Sequence, residues 1–137
     1  MSVCTIHIRV RYGETDQMGV AHHGAYVNWL ESGRVAFCRE LGVPYSEVEQ
    51  AGFNMAVADM QIRYKKPALF DQVLSVETTA EQVRSRFLKF RYRVLNEAGE
   101  LLVEATTTHV VVGRDLKQAS LTPSIMDRLK GVAVADA

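Results

Sequence analysis

The chain has 137 residues, 47% of them hydrophobic, which supports one globular domain and leaves no room for a separate cofactor-binding lobe. Its 16 basic residues balance 16 acidic ones, so the overall charge gives no reason to expect nucleic acid or an anionic membrane surface as a partner. Two cysteines are too few for a disulfide framework or a thiolate zinc site, which fits a reducing, cytoplasmic setting.

The N-terminal segment predicts a strand. Ile6, Ile8, Val10 and Tyr12 alternate with polar residues, which is the period-2 pattern of a half-buried strand. No basic segment followed by an apolar one opens the chain, and it has no run of about 18 consecutive apolar residues. We therefore expect neither export nor a membrane span. A connection over residues 13–23 follows the strand.

A long helix is predicted from Gly24 to about Leu41, because Gly42 follows it and Pro44 stands shortly after. Its apolar residues cover an arc of roughly 200°, wider than the ~100° stripe of an ordinary surface helix. We therefore expect other elements to wrap around it. The narrow polar remainder consists of Asn28, Glu31, Ser32 and Arg39, with Val35 among them. Residues 44–52 predict a short helix or turn.

The second half of the chain predicts four consecutive strands, at about 53–64, 73–83, 87–95 and 101–112. Lys65, Lys66 and Pro67 end the first of them, since proline cannot donate to a strand ladder. A hairpin turn is expected at 96–99. A terminal helix from near Pro123 to about Lys130 follows.

This order of elements predicts an α+β fold, in which an antiparallel sheet of about five strands curls around the long central helix. We expect one domain over residues 1–132 and a tail over 133–137. The outer face of the sheet should carry Met55, Val57, Phe87 and Leu95, which is too apolar for an ordinary wet face. Self-association, with symmetric pairing, is therefore expected.

Asp16 has two interpretations. It stands first, with Gly19 fourth, in a possible type I turn, where its side chain would cap its own backbone. It also lies on the loop that leads to the central helix, whose first N–H groups are free and whose dipole is positive there. At that place a carboxylate could attack a carbonyl carbon polarised by the helix start, which makes acyl transfer chemically available.

Other candidate groups have structural alternatives. His22 and His23 are adjacent on an extended segment and point to opposite sides, which disfavours a shared metal ion. His23 either orients substrate or the first helical turn, or is a plain helix-start histidine. His109 is expected in the core or an interface, and Glu31 as a solvated or interface residue rather than a second catalytic carboxylate. Cys38 is expected in the core, since no adjacent base identifies it as a nucleophile.

A basic cluster, Arg84-Ser85-Arg86, is predicted at the tip of the hairpin between the third and fourth strands. One interpretation is a solvated strand face. The other is a phosphate site, because two arginines at a hairpin tip can bind phosphate through charge-assisted hydrogen bonds. Such a site would suit a phosphorylated carrier.

The segment after the first strand resembles the hotdog-fold acyl-CoA thioesterases of the 4-hydroxybenzoyl-CoA thioesterase type, especially their short bacterial acyl-CoA thioesterase branch. The shared pattern is carried here by Tyr12, Glu14, Thr15, Asp16, Gly19, Val20, His23 and Tyr26. The match covers nearly the whole chain. The element order agrees too, since that family wraps an antiparallel sheet around one central helix.

The resemblance implies hydrolysis of an acyl-CoA thioester to the free acid and CoA, without metal or organic cofactor. Asp16 matches the family's catalytic carboxylate, which acts as nucleophile or as general base for water. His23 matches an assisting position, and the backbone N–H groups near Gly24 would polarise the thioester carbonyl. Tyr26 completes the pattern and is grouped with these catalytic residues.

The resemblance also implies binding partners. In the benzoyl-CoA members, basic residues of the hairpin that corresponds to Arg84, Ser85 and Arg86 bind CoA phosphates, and Arg84 matches best. Family sites lie between two subunits, so we expect a homo-oligomer, a tetramer built as a dimer of dimers. The alternative is a non-catalytic acyl-CoA or acyl-carrier binding module, against which the presence of Asp16 argues. A hotdog dehydratase is disfavoured because this loop lacks its histidine pattern.

Overall fold

The structure, a computed structural model, describes residues 2–131, so residue 132 and the predicted tail lie outside it. Its elements are β1 (Val3–Arg9), a 3-10 turn (Tyr12–Glu14), α1 (His23–Glu40), α2 (Tyr45–Gln50), β2 (Phe53–Tyr64), β3 (Val73–Val83), β4 (Phe87–Leu95), β5 (Leu101–Gly113) and α3 (Pro123–Leu129). The strands form one antiparallel sheet in the order β1-β3-β4-β5-β2, and α1 packs against it. The α+β hotdog prediction is confirmed, with β2 and β1 as the two edges.

The end of β1 differs from its prediction. β1 pairs with β3 as far as Arg9, which lies opposite Val73, the first residue of β3. Beyond this point the chain has no strand partner in the sheet and enters the 3-10 turn. Tyr12, expected at an inward position, is 81% exposed. The prediction for Tyr12 is therefore wrong.

α1 confirms the predicted long helix. Its buried residues are Ala25, Tyr26, Trp29, Leu30, Gly33, Arg34, Phe37 and Cys38. The predicted polar arc faces solvent, including Glu31, whose expected solvated position is confirmed. Val27, an apolar residue outside that polar arc, is nevertheless 38% exposed. Burial of Cys38 in the core is confirmed as well.

β2 contains a bulge that changes which residues share a face. The register shifts between Val57 and Asp59, so Ala58 has no partner on β5. Directly opposed residues of antiparallel strands lie on the same face. Met55 and Val57 oppose Val111 and His109, which are buried, so both face the inner side of the sheet. Their predicted place on the outer face is wrong, because one extra residue reverses the alternation.

The outer face is therefore more polar than expected. Of the four apolar residues assigned to it, only Phe87 and Leu95 lie there, and both are half-buried. Between them along β4 the outward side chains are basic, and Arg93 forms an ion pair with Glu77 of β3 at 3.0 Å. The apolar argument for self-association consequently moves from the outer face to the β2 edge, where Val57 is 48% exposed.

A glycine lets α1 approach the sheet closely. A Cβ atom added at Gly33 would lie 2.6 Å from Oγ1 of Thr78 and 3.0 Å from Cγ1 of Val76, both on β3. A Cβ at Gly13, in contrast, would have open space around it. Any larger residue at position 33 therefore has to displace the side chains of Thr78 and Val76 or move the helix away from β3.

We predict that Gly33→Ala lowers the free energy of unfolding by about 1–3 kcal/mol, the usual cost of overpacking. Denaturant titration measures the loss, with Gly13→Ala as the control in which little change is expected. Adding Thr78→Ala to the Gly33→Ala variant should recover part of it, because the closest contact is then removed. Equal stabilities of the Gly33→Ala variant and the parent would contradict the proposed packing.

A buried chain of hydrogen bonds connects the helices with three strands. It joins, in order, Tyr45, Arg34, Tyr92, Thr107, His109 and the carbonyl of Met55. A carbonyl only accepts, so Nδ1 of His109 donates to Met55 at 3.2 Å. Burial keeps His109 uncharged at neutral pH, so Nε2 accepts from the Thr107 hydroxyl at 2.8 Å. Both ring nitrogens thus have partners, and the satisfied core histidine predicted for this position is confirmed.

Burial, and secondarily the charge of Arg34, lower the pKa of His109 to about 4. As the pH falls, the unfolded chain therefore takes up a proton at His109 before the folded protein does. The contribution of His109 to the free energy of unfolding is fully present above about pH 6.5 and is lost as the pH falls toward about 4.

We predict that the free energy of unfolding decreases between pH 6.5 and pH 4 by up to about 3 kcal/mol on account of His109. Urea titrations across this range measure the decrease. His109→Gln serves as the matched control, since glutamine does not titrate, and its stability should depend less steeply on pH. If the free energy of unfolding depended on pH equally in the two proteins, His109 would not be the group responsible.

Candidate active site

The start of α1 presents free backbone donors. Nδ1 of His22 accepts a hydrogen bond from the N–H of Ala25 at 3.1 Å and so caps the helix. The N–H groups of His23 and Gly24 find no acceptor within residues 2–131, and both residues are exposed. These groups lie at the positive end of the helix dipole. A carbonyl oxygen placed against them would be polarised.

The loop before the helix is closed by Asp16. Its Oδ1 accepts from the N–H of Met18 at 2.8 Å and of Val20 at 3.3 Å. Its backbone carbonyl accepts from Gly19, whose φ of +75° suits glycine. The turn-capping interpretation of Asp16 is thus confirmed. Its other carboxylate oxygen, Oδ2, accepts nothing from the described residues and the side chain is exposed, so capping leaves that oxygen available for chemistry.

A buried carboxylate ties this loop to the helix. Oε1 of Glu14 accepts from the N–H of Arg11, and Oε2 from the indole N–H of Trp29, each at 2.8 Å. Burial alone would raise the pKa of Glu14, but these hydrogen bonds and the charge of Arg11 outweigh it and hold the pKa below its usual range. Glu14 is therefore ionised at neutral pH. The sequence identified it only as part of the shared pattern, without a role.

A cavity of about 240 Å³ opens beside the start of α1. Its lining includes Val20, Ala21, His23, Tyr26, Tyr64 and Pro67. The ring of Tyr64 lies 4.7 Å from that of His23 and 5.1 Å from that of Tyr26, measured between centroids. The Tyr26 hydroxyl accepts from the N–H of Ala68 at 3.1 Å, so this side chain is fixed in the cavity wall.

The structure brings only some of the predicted site residues together. His23, Gly24 and Tyr26 share the start of α1, and His23 and Tyr26 line the cavity. Asp16 lies on the adjoining loop, close in sequence to the lining residue Val20, but does not itself line the cavity. The hairpin arginines lie elsewhere.

The β3–β4 hairpin holds the basic cluster. The carbonyl of Ser85 accepts from Leu121 at 2.7 Å, and that of Arg86 accepts from Val111 at 3.0 Å. The guanidinium groups of Arg84 and Arg86 are exposed and have no ion-pair or hydrogen-bond partner within residues 2–131. Their positive charge is therefore available to an anion.

The cluster and the helix start lie at opposite ends of the sheet. Arg86 bonds to Val111 near the end of β5, whereas Tyr64, on the cavity wall, pairs with Val103 near its beginning. At ~3.3 Å per residue, these two points of β5 are about 26 Å apart. One chain alone does not place Arg84 and Arg86 next to the cavity.

Tyr64 is the cavity residue that sequence reasoning missed. The sequence predicts it only as the last position of a period-2 strand, just before Lys65. Its contact with His23 joins distant parts of the chain, and no local pattern signals such a contact. Lys65 and Lys66 also line the cavity, and the sequence predicts them only as the end of that strand.

Other reactive groups fall outside this site. Burial raises the pKa of Cys38 to about 12 and that of Cys4 to about 11, so both thiols stay protonated at neutral pH. Among residues 2–131, no cluster of three or more His, Cys, Asp or Glu side chains is arranged to hold a metal ion. None of the helices in that part of the chain is long and apolar enough to cross a membrane.

Comparison with known proteins identifies the family. The thioesterase-like superfamily matches residues 10–129. The chain is 39% identical to "Putative acyl-CoA thioesterase YneP" of Bacillus subtilis over 115 residues, 84% of this chain and 83% of that protein. It is 30% identical to "Acyl-CoA thioester hydrolase YbgC" of Escherichia coli over 124 residues, 90% of this chain and 92% of that protein.

A solved structure extends the likeness to the whole fold. The hypothetical protein TT1821 of Thermus thermophilus superposes with a TM-score of 0.88 at 38% identity, covering 97% of this chain and 99% of that one. Sequence and fold therefore agree over nearly the full length, and the chain belongs to the thioesterase-like superfamily of hotdog-fold enzymes.

Proposed function

We propose that this protein hydrolyses an acyl-CoA thioester, with water, to the free acid and CoA. The observation that carries the proposal is the pair of unsatisfied N–H groups at the start of α1, beside a cavity and at the end of the loop that carries Asp16. The names of the relatives YneP and YbgC support the same substrate class. A single hotdog domain over residues 1–132 would carry the activity.

In this mechanism the thioester oxygen accepts from the N–H groups of His23 and Gly24, and the acyl group enters the cavity. Oδ2 of Asp16 either attacks the carbonyl carbon, giving an anhydride that water then opens, or takes a proton from an attacking water. In both routes the C–S bond breaks and the thiolate of CoA leaves. A thioester suits so few groups because its carbonyl lacks strong resonance and its thiolate is a good leaving group.

The side chains around the helix start have separate tasks in this proposal. His23 is exposed at the cavity mouth and assists at the reacting group. Tyr26, whose hydroxyl is occupied by Ala68, acts by shaping the wall rather than by proton transfer. No metal or organic cofactor takes part.

The site would be completed by a second copy of the chain. β2 is an edge strand of 12 residues, and its Phe53 end lies toward the basic hairpin while its Tyr64 end lies at the cavity. If two β2 edges pair antiparallel about a two-fold axis, the Phe53 end of one copy meets the Tyr64 end of the other. Arg84 and Arg86 of one copy would then approach the cavity of the other and bind CoA phosphates.

The pairing of β2 edges also supports a proposal for the assembly, and the cysteines support one for the location. A dimer of this kind buries the exposed apolar residues of β2, and we propose a homotetramer of two such dimers. The free thiols of Cys4 and Cys38 fit a reducing cytoplasm.

The competing proposal is a non-catalytic acyl-CoA or acyl-carrier binding module. One observation favours it: capping the turn gives Asp16 a structural role that needs no catalysis.

We predict that Asp16→Asn lowers kcat for acyl-CoA hydrolysis about 100-fold or more while the protein stays folded. Asparagine keeps an oxygen that accepts from Met18 and Val20, so the turn survives and only the charge is lost. Thiol release from a panel of acyl-CoAs measures the effect. Glu31→Gln, an exposed charge on α1, is the matched control and should keep parental activity.

An Asp16→Asn protein that turns over its best acyl-CoA within a few-fold of the parent would refute the mechanism. A parent with no activity on the whole panel, but with tight acyl-CoA binding, would support the binding module instead. Where activity is lost, a single turnover of the parent in heavy-oxygen water tests the nucleophilic route. Label in the Asp16 side chain identifies a nucleophile whose anhydride is opened at the Asp16 carbonyl, and label only in the released acid excludes that route.

We predict that Arg84→Ala raises KM for acyl-CoA, with kcat unchanged, because a phosphate contact far from the reacting carbon binds ground state and transition state equally. Hydrolysis of a short pantetheine thioester, which lacks these phosphates, should not change. Arg93→Ala is the matched control, since Glu77 already neutralises that guanidinium.

Mixed oligomers test whether the site is shared. Asp16→Asn and Arg84→Ala subunits, reassembled together at subsaturating acyl-CoA, should exceed the mean activity of the two separate variants. The gain arises because one site of each mixed dimer contains both parental residues. Activity equal to that mean would place Arg84 and Asp16 of one site on the same chain.

A further inference from the structure

We propose that Glu14 is a positioning residue for hydrolysis, one that holds Asp16 at a fixed place relative to the free N–H groups of α1. The inference depends on the proposed function. It concerns a group that does not touch the substrate and acts through Asp16.

Glu14 is unusual for its place in the chain. It lies in a connecting segment whose neighbours Tyr12 and Asp16 are exposed, yet only 8% of Glu14 is accessible. An unpaired buried carboxylate would be costly, and such groups persist where hydrogen bonds compensate them. Here each oxygen accepts one bond at 2.8 Å, from the backbone of Arg11 and from the indole of Trp29.

These contacts fasten both ends of the catalytic loop. Trp29 lies in the second turn of α1, so its bond to Glu14 connects the loop directly to the helix. The backbone carbonyl of Glu14 accepts from the N–H of His22, the residue that caps α1, at 2.9 Å. Asp16 follows two positions later in the same loop. The distance between its carboxylate and the free N–H groups therefore depends on where Glu14 is held.

The arrangement requires a carboxylate. Both partners of its oxygens are N–H donors, and an ionised carboxylate accepts at both oxygens. A glutamine would offer one acceptor and one NH₂ group, which would oppose either Arg11 or Trp29. Glu14→Gln thus breaks one of the two connections without changing the size of the side chain. Trp29→Phe breaks the connection to the helix from the other side and retains an aromatic ring against Tyr26.

The test compares kcat and KM for an acyl-CoA. Glu14→Gln and Trp29→Phe should each lower kcat about 10-fold or more with KM within about two-fold, because a small displacement of a reacting group is costly in rate. Leu129 lies on α3 and is buried in the core. Leu129→Ala is the control variant that loses stability without affecting the loop, and it should keep kcat at the parental value. An unchanged kcat in Glu14→Gln, or an equal fall in Leu129→Ala, would overturn the inference.

A double variant shows whether Glu14 acts through Asp16. If it does, Glu14→Gln should cause no further loss of kcat in the Asp16→Asn background, since there is no longer a carboxylate to position. Losses that multiply would mean that Glu14 acts independently and would overturn the inference alone. A fully active Asp16→Asn protein would instead refute the role of Asp16, and the positioning role with it, whereas a parent without activity on any acyl-CoA would refute the proposed function.

Discussion

The close packing of α1 against β3 fixes the position of the helix on the sheet, and the candidate site lies around the start of that helix. Gly33 allows this approach, because a Cβ there would meet Thr78 and Val76. With the helix held along its length, its first N–H groups have a fixed direction. Electrostatic stabilisation of an oxyanion depends on such preorganised donors more than on the strength of any one of them.

Periodicity predicted most of the fold because each element buries one side. The bounds of α1, β2, β3, β4 and β5 follow the apolar pattern closely. The errors arose where a geometric detail changes the period. Ala58 is an extra residue in β2, so Met55 and Met60 face the same way although they lie five positions apart. Tyr12 continues an alternating pattern past the point where β3 supplies partners. Bulges and strand ends depend on the neighbouring strand, which local sequence does not describe.

The candidate site was predictable in part for the same reason. Asp16, His23 and Gly24 occupy one short segment, so a local pattern marks them together. Tyr64 was not found because its contact with His23 depends on how β2 passes the helix. The hairpin arginines were identified as a local basic cluster, but their distance from the cavity depends on the arrangement of the strands in the sheet, which no local pattern describes. Glu14 lay inside the recognised pattern, and only its burial distinguishes it from its exposed neighbours.

The hydrogen bond between Glu14 and Trp29 has a spectroscopic consequence. Trp29 is the single tryptophan of the chain, so all indole emission comes from this one position. Its ring is buried, packs edge-on against Tyr26 at 4.8 Å, and its N–H points at a carboxylate. Excited indole is sensitive to the charge and water around it. The native fluorescence of the unlabelled protein therefore responds to the hydrogen bond that attaches the Asp16 loop to the helix, as well as to the packing of the core around the ring.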